Sequence, residues 1–359
     1  MVSITDRIAI VLPVFKHSSL VAEALSSVIG QTEFEKVELV IVDDGCPYYQ
    51  TNMQCNPLAH IYSNVHYIRQ ANKGLSAARN TGIDFVLSNL PQCQAIYFLD
   101  ADNRLLPFAV QQMQHMLRVN EGSDWFYPDI NMFGLPWYGD YSGPFRPLTE
   151  CLMNICEAGS LVRIHVFASN LRFDEKMRDG YEDWEFWISA LSAGFRGMHF
   201  PASGFLYRKR AESMLSDSTR LHSKILDYIE KKHRWLKNPV TMVQMEHIDT
   251  ARYATIKSVN GTVELASDPS CGEHYDINTY TELLLNSFYK PNWYNCGFII
   301  IFMSEEVKQV LTSHGLLNFT YWTIERRLTT ANFACVSLKE TNRKELFFGD
   351  SAVSEGNNI

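Results

Sequence analysis

No CxxC pair occurs in the 359-residue chain, and its eight cysteines (46, 55, 93, 151, 156, 271, 296 and 335) keep no regular spacing. That excludes a zinc ribbon or a disulfide scaffold and predicts reduced thiols in an intracellular protein. Long apolar runs are also missing. The most apolar stretch, Gly297 to Met303, is far shorter than the roughly 20 residues a helix needs to cross a bilayer. Met1 to Arg7 leads straight into a strand-like run without a signal-peptide core, so the expected location is cytoplasmic, with at most a peripheral seat at the inner face of a membrane. Positive charge is scarce: 32 Lys+Arg face 40 Asp+Glu, and the net charge of −8 excludes a general nucleic-acid binder. No repeat or low-complexity tract appears. With 46% hydrophobic and 20% charged residues, the chain has the composition of a globular protein and the length of about two domains.

What is present begins as alternating strand and helix signals. Ile8-Ala-Ile-Val-Leu12 is an apolar run of the kind buried on both faces of a parallel sheet, and Pro13 is expected to stop it. Val21, Ala24, Leu25, Val28 and Ile29 then follow helical spacing, with Ser18 or Ser19 placed to cap. Val37 to Val42 reads as a second strand ending in Asp43-Asp44-Gly45, and Val65 to Ile68 as a third. A helix over about 75–87 and a fourth strand, Ala95 to Leu99, lead to Asp100-Ala101-Asp102. Repeated β-α-β units with short connections predict an α/β fold with a doubly wound, mainly parallel sheet. The ligand crevice of such a sheet lies outside the carboxyl ends of its strands, where these acids collect.

Beyond about residue 207 the character shifts. Residues 208–237 carry nine Lys/Arg against four Asp/Glu, which leaves −13 on the rest of the chain. Leu221 to Leu236 forms a basic amphipathic pattern, read either as a helix lying on an anionic membrane or as one packed on the core with a solvated basic face. Val259-Asn-Gly-Thr262 predicts a two-residue hairpin, Ser304 to His314 a helix, and Cys296–Met303 and Asn332–Leu338 strands. Residues 1–220 thus read as one α/β domain, 221–237 as a helical linker, and 238–359 as a smaller α/β or α+β region of open role.

Two carboxylates one residue apart at a strand end can share a hard cation, Mg²⁺ or Mn²⁺, that leaves positions for phosphate. Farther on, Tyr181-Glu182-Asp183-Trp184-Glu185 sets acids beside aromatic rings, where partial burial raises a carboxylate toward neutrality. The same acids also suit the dipole of a helix N-terminus.

Ile10-Val-Leu-Pro-Val-Phe15, Val40-Ile-Val-Asp-Asp-Gly45, Asn72-Lys-Gly-Leu-Ser-Ala-Ala-Arg-Asn-Thr-Gly82, Phe98-Leu-Asp-Ala-Asp102 and Glu182-Asp-Trp184 together resemble the ordered motif series of family 2 glycosyltransferases with the GT-A fold. The resemblance implies a nucleotide-sugar donor, a divalent metal (Mn²⁺ or Mg²⁺) and transfer with inversion. It places Pro13 and Phe15 at the base and ribose, Asp44 on the base edge with Asp43 supporting the loop, and Lys73, Gly74 and Arg79 around the nucleotide. Asp100 and Ala101 would meet the ribose side, Asp102 with Asp100 the metal, and Asp183 beside Glu182 would be the catalytic base. Tyr181 and Trp184 would line the acceptor site. Tyr207 to Met214 resembles the family's loop over the diphosphate, where Arg208 and Arg210 would neutralise the leaving group. Many members carry a metal-binding histidine about where Arg210 stands, and this chain departs from them there.

The expected activity is non-processive transfer, UDP-sugar favoured, of a hexosyl or N-acetylhexosaminyl group to a saccharide or lipid-linked acceptor, in surface polysaccharide or glycoconjugate synthesis. Lys231-Lys-His-Arg-Trp235 differs from the Q-x-x-R-W of processive synthases at its first position. A catalytically silent sugar- or nucleotide-binding partner of another transferase stays open beside this. A nucleotidyltransferase is disfavoured, because Pro13-Val-Phe-Lys16 replaces a glycine-rich phosphate loop.

Overall fold

The computed structural model describes residues 7–16, 18–129, 131–134, 145, 147–152, 154–210 and 221–237, and beyond them five short strands between 254 and 335. By chain contacts it divides into two units, Met1–Phe145 with Asn154–Ile229, and Arg146–Met153 with Glu230–Ile359.

The first unit is built on β1 (Arg7–Val14), β2 (Val37–Asp43), β3 (Val65–Arg69) and β4 (Cys93–Phe98), all parallel, with α1 (Val21–Ile29), α2 (Tyr49–Ile61) and α3 (Leu75–Asn89) as crossovers. β1 and β2 are buried along almost their whole length because neighbours cover both faces, which is why they read as unbroken apolar runs. Pro13 does not stop β1. It pairs in register with Val42, and Val14 with Asp43, so the proline sits one residue before the ladder ends. Neither serine caps α1: Leu20 is its N-cap without a side-chain bond, since the helix starts at Val21, too late for Ser18 or Ser19. Gly82 lets α3 press on β1, for a Cβ there would lie 2.4 Å from Val11 Cγ1.

Beyond β4 the chain adds β5 (Arg104–Leu105), α4 (Ala109–Val119), β6 (Trp125–Pro128) and β7 (Asn131–Gly134). Then come β8 (Leu161–Arg163), α6 (Ile164–Ala168), α7 (Glu182–Ser192), β9 (Gly197–Phe200) and β10 (Phe205–Lys209). The large sheet runs β3-β2-β1-β4-β8-β6-β9, with β8 antiparallel to both neighbours. Strands β5, β10 and β7 form a separate small sheet. The order reverses between β1 and β4, so the topological switch point falls beside Phe15 and Asp100. An aromatic layer holds α7 against the sheet: Phe173 stacks on Phe186 at 4.3 Å and Trp125 on Trp187 at 5.2 Å. The helix α7 is thereby fixed by rings that bury large areas.

α8 (His222–Lys232) turns Ile225 and Ile229 into the protein and leaves Lys224, Lys231 and Lys232 exposed. Ile225 and Ile229 are therefore spent on packing, as the core-packed reading expects, while Leu221 stays exposed beside the helix. No helix among the described residues is long and apolar enough to cross a membrane.

In the second unit α5 (Pro147–Leu152) belongs with a sheet ordered β13 (His274–Tyr275), β12 (Thr262–Ala266), β11 (Ala254–Val259), β14 (Ile301–Met303), β15 (Ala334–Cys335). Val259 pairs with Thr262 across the expected hairpin. The helix read at 304–314 lies outside the described residues.

Candidate active site

β2 delivers Asp43 and Asp44 to the sheet edge, and the protein occupies both. Asp43 has no exposed surface: Oδ1 accepts the Cys46 N–H at 2.7 Å, and Oδ2 accepts the Tyr67 hydroxyl at 2.6 Å and the Arg69 guanidinium at 2.8 Å. Asp44 Oδ1 accepts Gln70 Nε2 at 2.7 Å and the Lys73 N–H at 2.9 Å. Its Oδ2 accepts Asn72 Nδ2 at 3.0 Å and the Gly74 N–H at 2.8 Å. Four donors fill a carboxylate's lone pairs. These two acids clasp the 70–74 loop onto the end of β2. Pro13 is buried above them in β1 and Phe15 is half-buried, with Lys16 Nζ 5.0 Å from its ring centroid.

The end of β4 is arranged differently. Asp100 and Asp102 keep 28% and 15% of their side-chain surface exposed, and each meets an arginine. Arg79, on α3, is 1% exposed and donates to Asp100 Oδ1 at 2.9 Å and to Glu182 Oε1 at 2.7 Å. Burial works against its charge, but Asp100, Glu182 and Asp183 outweigh burial and hold it more firmly protonated than in water. One buried guanidinium thus ties the β4 end to α7, and removing one member of such a pair costs about 3–5 kcal/mol.

α7 opens on strained backbone. Gly180 and Tyr181 both have positive φ, +98° and +58°, which turns the chain so that Glu182 and Asp183 start the helix. Asp183 Oδ1 accepts the Trp184 N–H at 2.8 Å and Oδ2 accepts Asn154 Nδ2 at 3.0 Å. Burial, with Glu182 adding to it, pushes the Asp183 carboxyl up to about 7, while Arg79, Asn154 and the Trp184 N–H pull it back. Glu157 adds a further carboxyl, accepting the Gly159 N–H. Burial and the charges of Asp100 and Asp183 push it well above the usual carboxylate range.

β10 closes the site. Arg210 holds Asp102 Oδ2 at 2.6 Å. Arg208 donates to the Asp102 carbonyl at 2.9 Å, pairs with Glu23, and lies 4.5 Å from the Phe133 ring centroid. Among the described residues no three His, Cys, Asp or Glu side chains are grouped to hold a metal ion. The donor set still fits a hard divalent ion: two adjacent, partly exposed carboxylates at a strand end leave positions for water and phosphate.

Residues 9–138 match the sequence model of Glycosyl transferase family 2. That segment belongs to the family. A glycosyltransferase, GlyA, of Streptococcus pneumoniae is 32% identical over 100 residues, 28% of this chain and 13% of its own. The minor teichoic acid biosynthesis protein GgaA of Bacillus subtilis is 26% identical over 242 residues, 62% of this chain and 51% of its own. The chain thus spans about half the length of GgaA and much less of GlyA. The solved Staphylococcus aureus TarS fragment 1–349 with UDP-GlcNAc is similar at 16% identity and a TM-score of 0.48, over 58% of this chain and 60% of that one.

Within this family 2 glycosyltransferase domain the structure brings Asp100, Asp102, Asp183, Glu182, Arg79, Arg208 and Arg210 to one sheet edge. Three expectations change. Trp184 is 1% exposed, with its ring edge-on to Tyr181 at 5.7 Å, so it is part of the packing and not an acceptor platform. Arg79 lies beneath the site, bonded to its acids, and does not face a nucleotide directly. Asp44 spends its carboxylate on the loop and leaves no lone pair for a base edge. Ala101 is buried, so any contact it makes with a ligand is through its backbone. Lys73 is exposed; its N–H binds Asp44 and its carbonyl accepts Arg178 at 2.7 Å. Sequence reasoning missed Asn154 and Glu157. Their only signal is a polar residue and an acid shortly before Ala158-Gly159-Ser160, where a Cβ on Gly159 would come within 2.7 Å of the Phe205 ring.

Proposed function

We propose that this chain is an inverting, non-processive glycosyltransferase that moves a hexosyl or N-acetylhexosaminyl group from a nucleotide-diphosphate-sugar, UDP-sugar favoured, to a hydroxyl of a saccharide or lipid-linked acceptor. Surface polysaccharide or glycoconjugate synthesis is the setting, at the cytoplasmic side. The observation that carries the reading is the Arg79 bridge, which sets a metal-competent Asp100-x-Asp102 and the Glu182-Asp183 pair on one guanidinium.

The roles follow from chemistry. Asp183 takes the proton as the acceptor O–H bond breaks; the acceptor oxygen bonds the anomeric carbon, and the sugar–phosphate bond breaks with its electron pair leaving on the diphosphate. Asp102 and Asp100 would hold Mn²⁺ or Mg²⁺, whose charge neutralises the leaving diphosphate. Arg210 and Arg208 supply further cations at the same edge. Pro13, Phe15, Lys73 and Gly74 wall the nucleotide pocket, with Asp43 and Asp44 shaping its loop. Tyr181, at the mouth of α7, lines the acceptor side.

A base works when ionised, so kcat/KM should fall about tenfold per pH unit as pH drops below about 7, where the Asp183 carboxyl takes up its proton. Asp183→Asn should abolish transfer while UDP binding, followed by calorimetry with Mn²⁺, stays at the wild-type level. Wild-type turnover by that variant would overturn the proposal.

A further inference from the structure

The Asp183 carboxylate is held from two directions. The Trp184 N–H belongs to the same helix and would be present whatever the side chains. Asn154 comes from a separate segment, the stretch leading into β8, and reaches Asp183 Oδ2 at 3.0 Å. That segment is itself anchored along its length. Trp187 Nε1 donates to the Cys156 carbonyl at 2.8 Å, the Ser160 hydroxyl donates to the Glu157 carbonyl at 2.5 Å, and the Phe98 N–H reaches the Ser160 carbonyl at 3.4 Å. Asn154 is therefore carried on backbone pinned to both α7 and β4.

The other end of the amide is as telling. Asn154 Oδ1 is buried with no hydrogen-bond partner among the described residues. A buried carbonyl without a partner lowers stability, so packing alone does not account for an asparagine here. Its donor is what the site uses. The groups facing Asp183 are Glu182 on its own helix, Arg79 from α3, Glu157 from the Asn154 segment and Tyr207 from β10. Two of these are carboxyls that oppose ionisation of Asp183, and one is a cation already shared with Asp100 and Glu182.

We infer that Asn154 is a positioning residue for proton transfer: its Nδ2 fixes the Asp183 carboxylate in one orientation and favours the ionised form that accepts the acceptor proton. The inference rests on Asp183 being the base. An N–H donated to a carboxylate stabilises only the charged state, and its loss should raise the midpoint of Asp183 titration by about one pH unit. Rates at pH 7 should fall about five-fold, approach a tenfold deficit below pH 6 and recover at higher pH, with UDP affinity unchanged.

The test uses the full chain labelled with ¹³C-aspartate, titrated by NMR, with Asp183→Asn identifying the resonance, and UDP release from UDP-glucose with Mn²⁺ as the activity arm. Asn154→Ala should move the midpoint up. Asn154→Asp, which sets a third carboxyl beside Asp183, should move it farther, and Asn154→Ser, which restores a donor, should bring it back toward wild type. If Asn154→Ala fails to fold, the Asn154→Ser and Asn154→Asp pair carries the same comparison. An unchanged midpoint and pH profile in these variants, with Asp183→Asn inactive, overturns the role of Asn154 alone. Full turnover by Asp183→Asn instead overturns the assignment of the base.

Discussion

Two acidic strand ends look alike in the sequence and do opposite work. Asp43-Asp44 closes β2 and Asp100-Ala101-Asp102 closes β4, two strands apart on the same sheet edge. At β2, backbone and side-chain donors fill the carboxylates, and the pair is almost without exposed surface. At β4, the carboxylates face arginines and remain open to solvent in part. The difference lies in what surrounds them. The β2 acids are met by a loop whose backbone N–H groups point inward, the usual fate of an aspartate in a turn. The β4 acids are met by long cationic side chains, which can yield a carboxylate oxygen to a metal ion without uncovering a buried backbone group. Backbone N–H groups of Cys46, Lys73 and Gly74 anchor the β2 acids, with Arg69 an exposed addition, whereas the β4 acids pair with arginines and keep surface open to a ligand.

Substitution should separate the two sharply. Asp102→Asn removes the charge proposed to hold the metal and frees Arg210, and it should lower kcat by about 10³-fold with the melting temperature almost unchanged. Activity with added Mn²⁺ and a thermal melt, run side by side, check both halves. A large loss of melting temperature in Asp102→Asn would break the distinction.

Asp43→Ala should show the reverse balance. It strands the Cys46 N–H, the Tyr67 hydroxyl and one side of Arg69, and since Arg69 is 47% exposed its share is screened by water. A loss of about 2–4 kcal/mol by denaturant unfolding is expected, with kcat of the folded fraction within a few-fold of wild type. A stable but inactive Asp43→Ala would move the β2 end into the chemistry.

How much of this the sequence disclosed depends on range. The parallel strands were legible to within a residue or two, because burial on both faces leaves an apolar run that no loop imitates: Ile8–Leu12 against Arg7–Val14, Val37–Val42 against Val37–Asp43. β8, three residues long and antiparallel, carries no such run and went unread. In the site, the acids announced themselves by lying at strand ends, but their partners did not. Arg79 and Glu182 are 103 residues apart, Asn154 and Asp183 are 29 apart, and no local pattern links residues that meet only through the fold. Trp184 misled for a related reason. An aromatic beside a catalytic acid suits a sugar platform, yet the next turn of a packed helix must also fill the core, and there the core took the ring.

The finest cut through the comparison is a single methyl group at Gly45. This residue follows Asp44, packs against the 70–74 loop and has φ of +69°, a region that strains any side chain. A Cβ there would lie 2.8 Å from the Asn72 nitrogen and 3.1 Å from the Gln70 carbonyl, both backbone atoms of the loop that Asp44 clasps. The loop must shift outward, so Gly45→Ala should cost about 1–2 kcal/mol of stability. Lys73 and Gly74 ride on the same loop, so the donor KM should rise several-fold. The β4 end and α7 are tied together by Arg79 without this loop, so kcat should hold. A scaffold defect felt as weaker nucleotide binding at constant kcat would confirm that the two strand ends divide the labour as their hydrogen bonds indicate. A fall in kcat matching the rise in KM would show that the β2 loop reaches the chemistry after all.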